Sequence, residues 1–215
     1  MERHRQVELI QRSGVIAIVR FERSEELVRA AKAVAAGGVE IIEFTFTTPG
    51  ALGLIEQTSR ELGDSVLLGA GTVLDAETAR AAILAGAEFI VAPTLSLEVI
   101  ETCHRYSKVV IPGTYTPTEM LTAWEAGADF VKVFPADVAG PAYLKAVAAP
   151  LPQIRLIPVG GVTLENTGEF IKAGAAAVGV GGNLVEKRAI AEGHFEKLTE
   201  NARRFVQEVV KARGA

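Results

Sequence analysis

Short apolar runs rich in β-branched residues alternate along the chain with longer amphipathic stretches, as expected of parallel strands whose outer faces are covered by helices. Eight runs can be read: Val15 to Arg20, Val39 to Phe46, Val66 to Ala70, Glu88 to Ala92, Lys108 to Pro112, Asp129 to Phe134, Arg155 to Val159 and Ala176 to Val180. Helix starts are expected at Ser24-Glu25-Glu26, Pro49, Asp75-Ala76-Glu77, Ser96-Leu97-Glu98 and Pro117-Thr118-Glu119, where a capping side chain, an N1 proline or an early acid meets the orphan amides of a first turn. Ala36-Gly37-Gly38, Ala85-Gly86-Ala87, Ala126-Gly127-Ala128 and Ala173-Gly174-Ala175 each end a helix-like stretch with glycine just ahead of a strand-like run. They form a weak internal repeat of two βα units. Eight units in 215 residues average about 27 residues each, near the lower limit for a (β/α)8 TIM barrel, whereas a doubly wound open sheet needs only about five or six strands. The expectation is therefore an α/β fold of the barrel type. No linker or composition shift interrupts the chain, so residues 1–215 are read as a single domain with 1–13 as an N-terminal helical segment.

Composition narrows the setting. An apolar content of 49% is ample for a sizeable core. The net charge of −4 and the scatter of basic residues argue against a grip on nucleic acid. Cys103 is the one cysteine, which excludes an intramolecular disulfide and a zinc site built on several thiolates, and makes a reducing cytoplasm the expected compartment. The N-terminus is too polar for a secretory segment and no apolar run approaches about 18 residues, so no membrane association is expected.

In a barrel of this kind reacting groups gather at the C-terminal ends of the strands. Lys132 stands among Phe130, Val131, Val133 and Phe134. Pointing inward, it would be desolvated toward the neutral amine that attacks a carbonyl carbon; pointing outward, it would snorkel between helices, and strand alternation alone leaves both open. Glu43 lies among Ile41, Ile42 and Phe44, where a carboxylate must be protonated or paired. It could move protons, or serve only as an ion-pair partner of Lys132 or Arg20. Gly160-Gly161 and Gly181-Gly182-Asn183 follow the last two runs, the places where barrels commonly bind phosphate through backbone amides. Arg20 closes the first run and offers a planar fork to carboxylate or phosphate. Gly69-Ala70-Gly71-Thr72-Val73-Leu74 adds a hydroxyl near exposed amides, but Leu74 spoils a dinucleotide fingerprint. His4, His104 and His194 have no metal-ligand spacing, and no P-loop or Gly-x-Ser-x-Gly pattern is present.

Ile42-Glu43-Phe44-Thr45, Gly69-Ala70-Gly71-Thr72-Val73, Ala92-Pro93, Ile111-Pro112-Gly113, Val131-Lys132-Val133-Phe134-Pro135-Ala136, Pro158-Val159-Gly160-Gly161-Val162 and Val180-Gly181-Gly182-Asn183 occur in that order. Together they resemble the 2-keto-3-deoxy-6-phosphogluconate (KDPG) and 4-hydroxy-2-oxoglutarate (KHG) aldolase family. The resemblance implies a (β/α)8 barrel, usually a homotrimer, acting as a cofactor-free, metal-independent class I aldolase. Its substrate would be a keto acid or sugar-acid phosphate: KDPG cleaved to pyruvate and glyceraldehyde 3-phosphate, with KHG as a second activity and the galactonate epimer of KDPG as an alternative substrate. By motif position Lys132 would be the Schiff-base lysine and Glu43 the general acid/base. Thr72 would contact the pyruvate carboxylate, Pro93 and Phe134 would wall the pocket, and Gly160, Gly161, Gly181 and Gly182 would offer amides to phosphate. Two positions depart from the pattern: Thr47 stands where many members carry an arginine, a role Arg20 could take over, and Asn183 stands where a phosphate-contacting serine is common. A phosphate-binding barrel isomerase or synthase with Glu43 as base, and a silent small-molecule binding protein, are the rival readings.

Overall fold

The computed structural model describes residues 1–21 and 25–214. Every apolar run contains strand: β1 (Val15–Val19), β2 (Ile41–Thr45), β3 (Leu67–Gly71), β4 (Phe89–Val91), β5 (Val109–Ile111), β6 (Gly113–Thr114), β7 (Val131–Val133), β8 (Leu156–Pro158) and β9 (Val178–Val180). The fifth run holds β5 and ends at Pro112, which has no N–H to give to a ladder, and β6 follows directly beyond it. At that residue the chain changes partners: β5 pairs with β4, and β6 with β7. All pairings are parallel, and they build one sheet in the order β5-β4-β3-β2-β1-β9 and a second in the order β6-β7-β8. A single bridge between Val159 and Gly179 links the two. The result is a curled parallel sheet in two hydrogen-bonded pieces, with helices between successive strands except β5 and β6.

Alternation along the strands separates two apolar layers. Val15, Ala17 and Val19 of β1, Ile42 and Phe44 of β2, and Val131 and Val133 of β7 pack in the cluster that includes the helices' Leu27, Leu54 and Phe170. Ile16, Ile41, Leu67, Phe89, Val109, Phe130 and Ile157 form a separate cluster on the opposite face of the same strands. That second face is the inner one. Ile10 enters it from the helix Arg3–Ser13, which is held across the N-terminal ends of the strands. Its Arg3 donates to both carboxylate oxygens of Asp129, just before β7, at 3.0 Å each. Gln6 donates to Glu88, just before β4. One end of the sheet is thus plugged by a helix, and the loops at the other end are free to build a site.

Most expected helix starts are realised. Asp75 accepts from the Thr78 N–H at 2.6 Å, Ser96 accepts from Val99, and Thr116 with Glu119 makes a reciprocal box ahead of Pro117. The start at Pro49 is two residues early: the helix is Ala51–Leu62, and Gly50 occupies the cap position at φ 71°, a left-handed conformation that glycine adopts without steric cost. The cap expected at Ser24 lies outside the described residues. Among the described residues, no helix is long and apolar enough to cross a membrane. Cys103 is fully buried, and burial pushes its thiol up to about 12.

Candidate active site

Parity settles which way Lys132 points. Its neighbours Val131 and Val133 belong to the helix-facing layer, while Phe130, two residues earlier, and Ile157, its partner in the β8 register, belong to the inner cluster. The Lys132 side chain therefore emerges on the inner face, and its Nζ lies 4.8 Å from the centroid of the Phe134 ring. Glu43 shares parity with Ile41 and so projects from β2 into the same interior. Both are buried, with 6% and 3% of their surface exposed.

Burial drives the electrostatics of this pair. Desolvation lowers the Lys132 pKa; the Glu43 charge pushes it back up, and the Arg20 guanidinium lowers it further. Desolvation raises the Glu43 pKa against the opposing pull of Lys132 and then of Arg20. The two proton affinities are thereby drawn toward one another, so a neutral amine beside a protonated acid becomes far more accessible than in water. The two charges interact without a direct ion pair among the described residues, which leaves the amine free to meet a substrate.

Two residues that carried no role in the sequence reading shape the acid's surroundings. A Cβ placed on Gly71, at the end of β3, would stand 1.6 Å from Glu43 Oε1 and 2.3 Å from its Cδ. The carboxyl group thus rests directly on the bare glycine backbone. Thr45, on the same face of β2 as Glu43 and 1% exposed, accepts a hydrogen bond from Arg20 Nε at 3.3 Å and shares another with Thr47 Oγ1 at 2.9 Å. Thr47 is itself exposed. Arg20, Thr45 and Thr47 form one polar chain beside Glu43, and Arg20 comes from β1 into the neighbourhood where the family pattern carries its arginine.

The remaining expected residues divide between two sides of the mouth. A cavity of about 290 Å³ is walled by Arg20, Phe134, Gly160, Gly161, Gly181, Gly182 and Asn183, among others. Gly160 and Gly161 have φ of 94° and 67°, a left-handed pair that a side chain would strain. Asn183 Nδ2 donates to the Val162 carbonyl at 2.8 Å, tying the loop after β9 to the loop after β8. Lys132 and Glu43 are not part of that wall; Phe134 connects the amine to it. Thr72 and Pro93, in the loops after β3 and β4, are half-buried and also lie outside the cavity wall. Thr72 has φ 57°, a conformation that costs a β-branched residue roughly 1–3 kcal/mol. Hydrogen bonds from Phe46 to the Gly71 carbonyl and from Val73 to the Val91 carbonyl hold the chain on either side of it.

A desolvated amine and a carboxyl group sharing the interior of a parallel α/β sheet, beside a glycine-lined cavity, define an enzyme equipped for imine chemistry on a carbonyl substrate. The model of the KDPG and KHG aldolase family matches residues 7–201, and the chain belongs to that family. It is 38% identical over 202 residues to the 2-dehydro-3-deoxy-phosphogluconate aldolase of Treponema pallidum, covering 93% of this chain and 95% of that one. It is equally 38% identical, over 194 residues, to the 2-dehydro-3-deoxy-6-phosphogalactonate aldolase of Escherichia coli, covering 90% of this chain and 93% of the relative. The Legionella pneumophila KDPG aldolase, solved with pyruvate captured at low pH as a covalent carbinolamine, superposes with a TM-score of 0.86 at 29% identity over 92% of this chain and 96% of that one.

Proposed function

We propose that this protein is a class I aldolase that cleaves KDPG to pyruvate and glyceraldehyde 3-phosphate, with Lys132 as the Schiff-base lysine and Glu43 as the acid/base. The observation that carries the reading is the pairing of these two buried groups on the inner face, each moved by burial toward its neutral form. The Lys132 lone pair adds to the C2 ketone of the substrate, and the resulting carbinolamine loses water as Glu43 delivers a proton. The protonated imine then accepts the electron pair of the C3–C4 bond while the C4 hydroxyl gives up its proton to the Glu43 carboxylate left by the dehydration and departs as an aldehyde. Glu43 protonates C3 of the enamine, and water releases pyruvate and the free amine. Because the imine nitrogen is the electron sink, the chemistry requires no metal ion or cofactor.

Arg20, with Thr45 and Thr47, would hold the keto acid's carboxylate together with Thr72, whose neighbour Gly71 pairs with Thr45 in the β2–β3 register, and Pro93 would wall the pocket. The glycine loops and Asn183 are placed for the phosphate, with Phe134 between the two ends. The galactonate epimer is a second substrate reading, favoured by a relative of equal identity that carries that name, and KHG cleavage a second activity. Three features support a closed eight-stranded barrel forming one domain: the partner switch at Pro112, the Val159–Gly179 bridge and the unbroken inner layer. We place the enzyme in the cytoplasm as a homotrimer. Leu74 and Leu97, more than half exposed in the connections after the neighbouring strands β3 and β4, supply apolar surface for contact between copies.

Incubation with pyruvate and borohydride should attach a reduced pyruvyl group to the peptide containing Lys132. Full aldol activity without that adduct would overturn the Schiff-base assignment, whereas absence of both adduct and aldol activity would favour the isomerase or synthase reading.

A further inference from the structure

The cavity beside Phe134 carries one cation that neither the sequence motifs nor the reading above employs. Lys187 lines its wall together with Arg20, and among the described residues no aspartate or glutamate does. The charged residues on either side of Lys187 are engaged elsewhere. Glu186 accepts from Asn201 Nδ2 at 3.0 Å, and Arg188 pairs with Glu192 at 2.7 Å. Among the described residues Lys187 has no ion-pair partner. In the same wall the backbone is bare at two positions: a Cβ on Gly181 or Gly182 would meet nothing within 4 Å. The peptide N–H groups of Gly182 and Asn183 find no protein acceptor among the described residues. The one side-chain amide in this turn, Asn183 Nδ2, is already committed to the Val162 carbonyl. Donors are therefore supplied by the backbone, and compensating charge by two side chains of the same wall.

We propose that Lys187 is a specificity-determining residue that sets the preference for phosphorylated over unphosphorylated substrates by contributing a mobile ammonium to the terminal phosphate. The inference rests on the aldolase reading for its substrate but not for its binding site. A lysine suits this position because a phosphate monoester at neutral pH carries close to two negative charges, and Arg20 is held by Thr45 and shared with the carboxyl end. A flexible point charge at the rim can follow the phosphate without fixed geometry. It also stands in for the hydroxyl that Asn183 does not offer.

The test compares Lys187→Ala and Lys187→Arg with the unaltered protein in two assays. In the first, glycerol 3-phosphate is titrated by calorimetry. Its Kd should rise roughly 10-fold or more in Lys187→Ala, the size expected for loss of a charge-assisted contact, and should largely recover in Lys187→Arg. In the second, kcat/KM is measured for KDPG and for KHG, which has no phosphate. The KDPG value should fall by a comparable factor while the KHG value stays within about twofold. Equal glycerol 3-phosphate affinity in all three proteins, or a parallel fall for both substrates, overturns the role of Lys187. Failure of the aldolase reading shows differently, as absence of the borohydride adduct in the unaltered protein, and leaves the calorimetric comparison to decide Lys187.

Discussion

The sharpest consequence of the site's geometry concerns a residue with no chemistry of its own. Replacing Gly71 by alanine places a methyl carbon 1.6 Å from Glu43 Oε1, where ordinary contact begins near 3.4 Å. The carboxyl group must therefore retreat by about 2 Å, and since even a 1 Å misplacement of a reacting group can cost 10²-fold, kcat should fall by at least about 10²-fold. Overpacking of this kind costs roughly 1–3 kcal/mol of stability, so the variant should fold. Pyruvate release from KDPG, coupled to lactate dehydrogenase, reads the loss, and deuterium exchange at the pyruvate methyl group isolates the proton-transfer step. Borohydride trapping on Lys132 should persist at reduced rate, because the amine is untouched. Gly69→Ala serves as a control, since its Cβ would meet the Phe89 ring at 2.3 Å and should cost stability while leaving proton exchange per folded molecule near normal. If Gly71→Ala exchanges and cleaves within twofold of the unaltered protein, the carboxyl group is not where the reaction needs it and the acid/base assignment to Glu43 is wrong.

Three further outcomes follow from the same structure. Imine formation needs the neutral amine, and burial lowers the Lys132 pKa, so activity should rise with pH along a limb set below the ordinary lysine value. The Glu43 charge pushes that pKa upward, so Glu43→Gln should move the limb of borohydride trapping to lower pH; a shift to higher pH would contradict the coupling. At the plugged end of the sheet, Asp129→Ala strips Arg3 of its partner and leaves the Val110 N–H without its acceptor. Because Arg3 is 32% exposed, the cost should be about 2 kcal/mol, less than the roughly 3–5 kcal/mol of a fully buried pair. Calorimetry should show a Tm lower by about 4–8 °C with kcat per folded molecule unchanged.

The layering of the fold was legible because β-branched runs and glycine-terminated helices are local signals, and all eight runs hold strand. The interruption at Pro112 was present in the pattern but its meaning was not: only the pairing shows that a missing N–H marks a change of partner. Lys132 and Glu43 could be named from their apolar surroundings, yet the direction of Lys132 stayed undecided. A three-residue strand carries too little alternation of its own, and Phe130 and Ile157 had to supply the missing parity. Gly71 and Thr45 lie inside the motifs without signalling a role, because a close approach between two strands leaves no trace in either one alone. Lys187 sits in a charged surface segment that looks like any solvated turn until the cavity is drawn.

The silence of Cys103 has a practical side. A neutral, fully enclosed thiol will not compete for alkylating reagents, so a second cysteine introduced at exposed Val138, which is 73% accessible, would be the sole attachment point for a fluorophore. The protein is in effect already prepared for single-dye work, and mixing donor- and acceptor-tagged batches would report directly whether copies exchange.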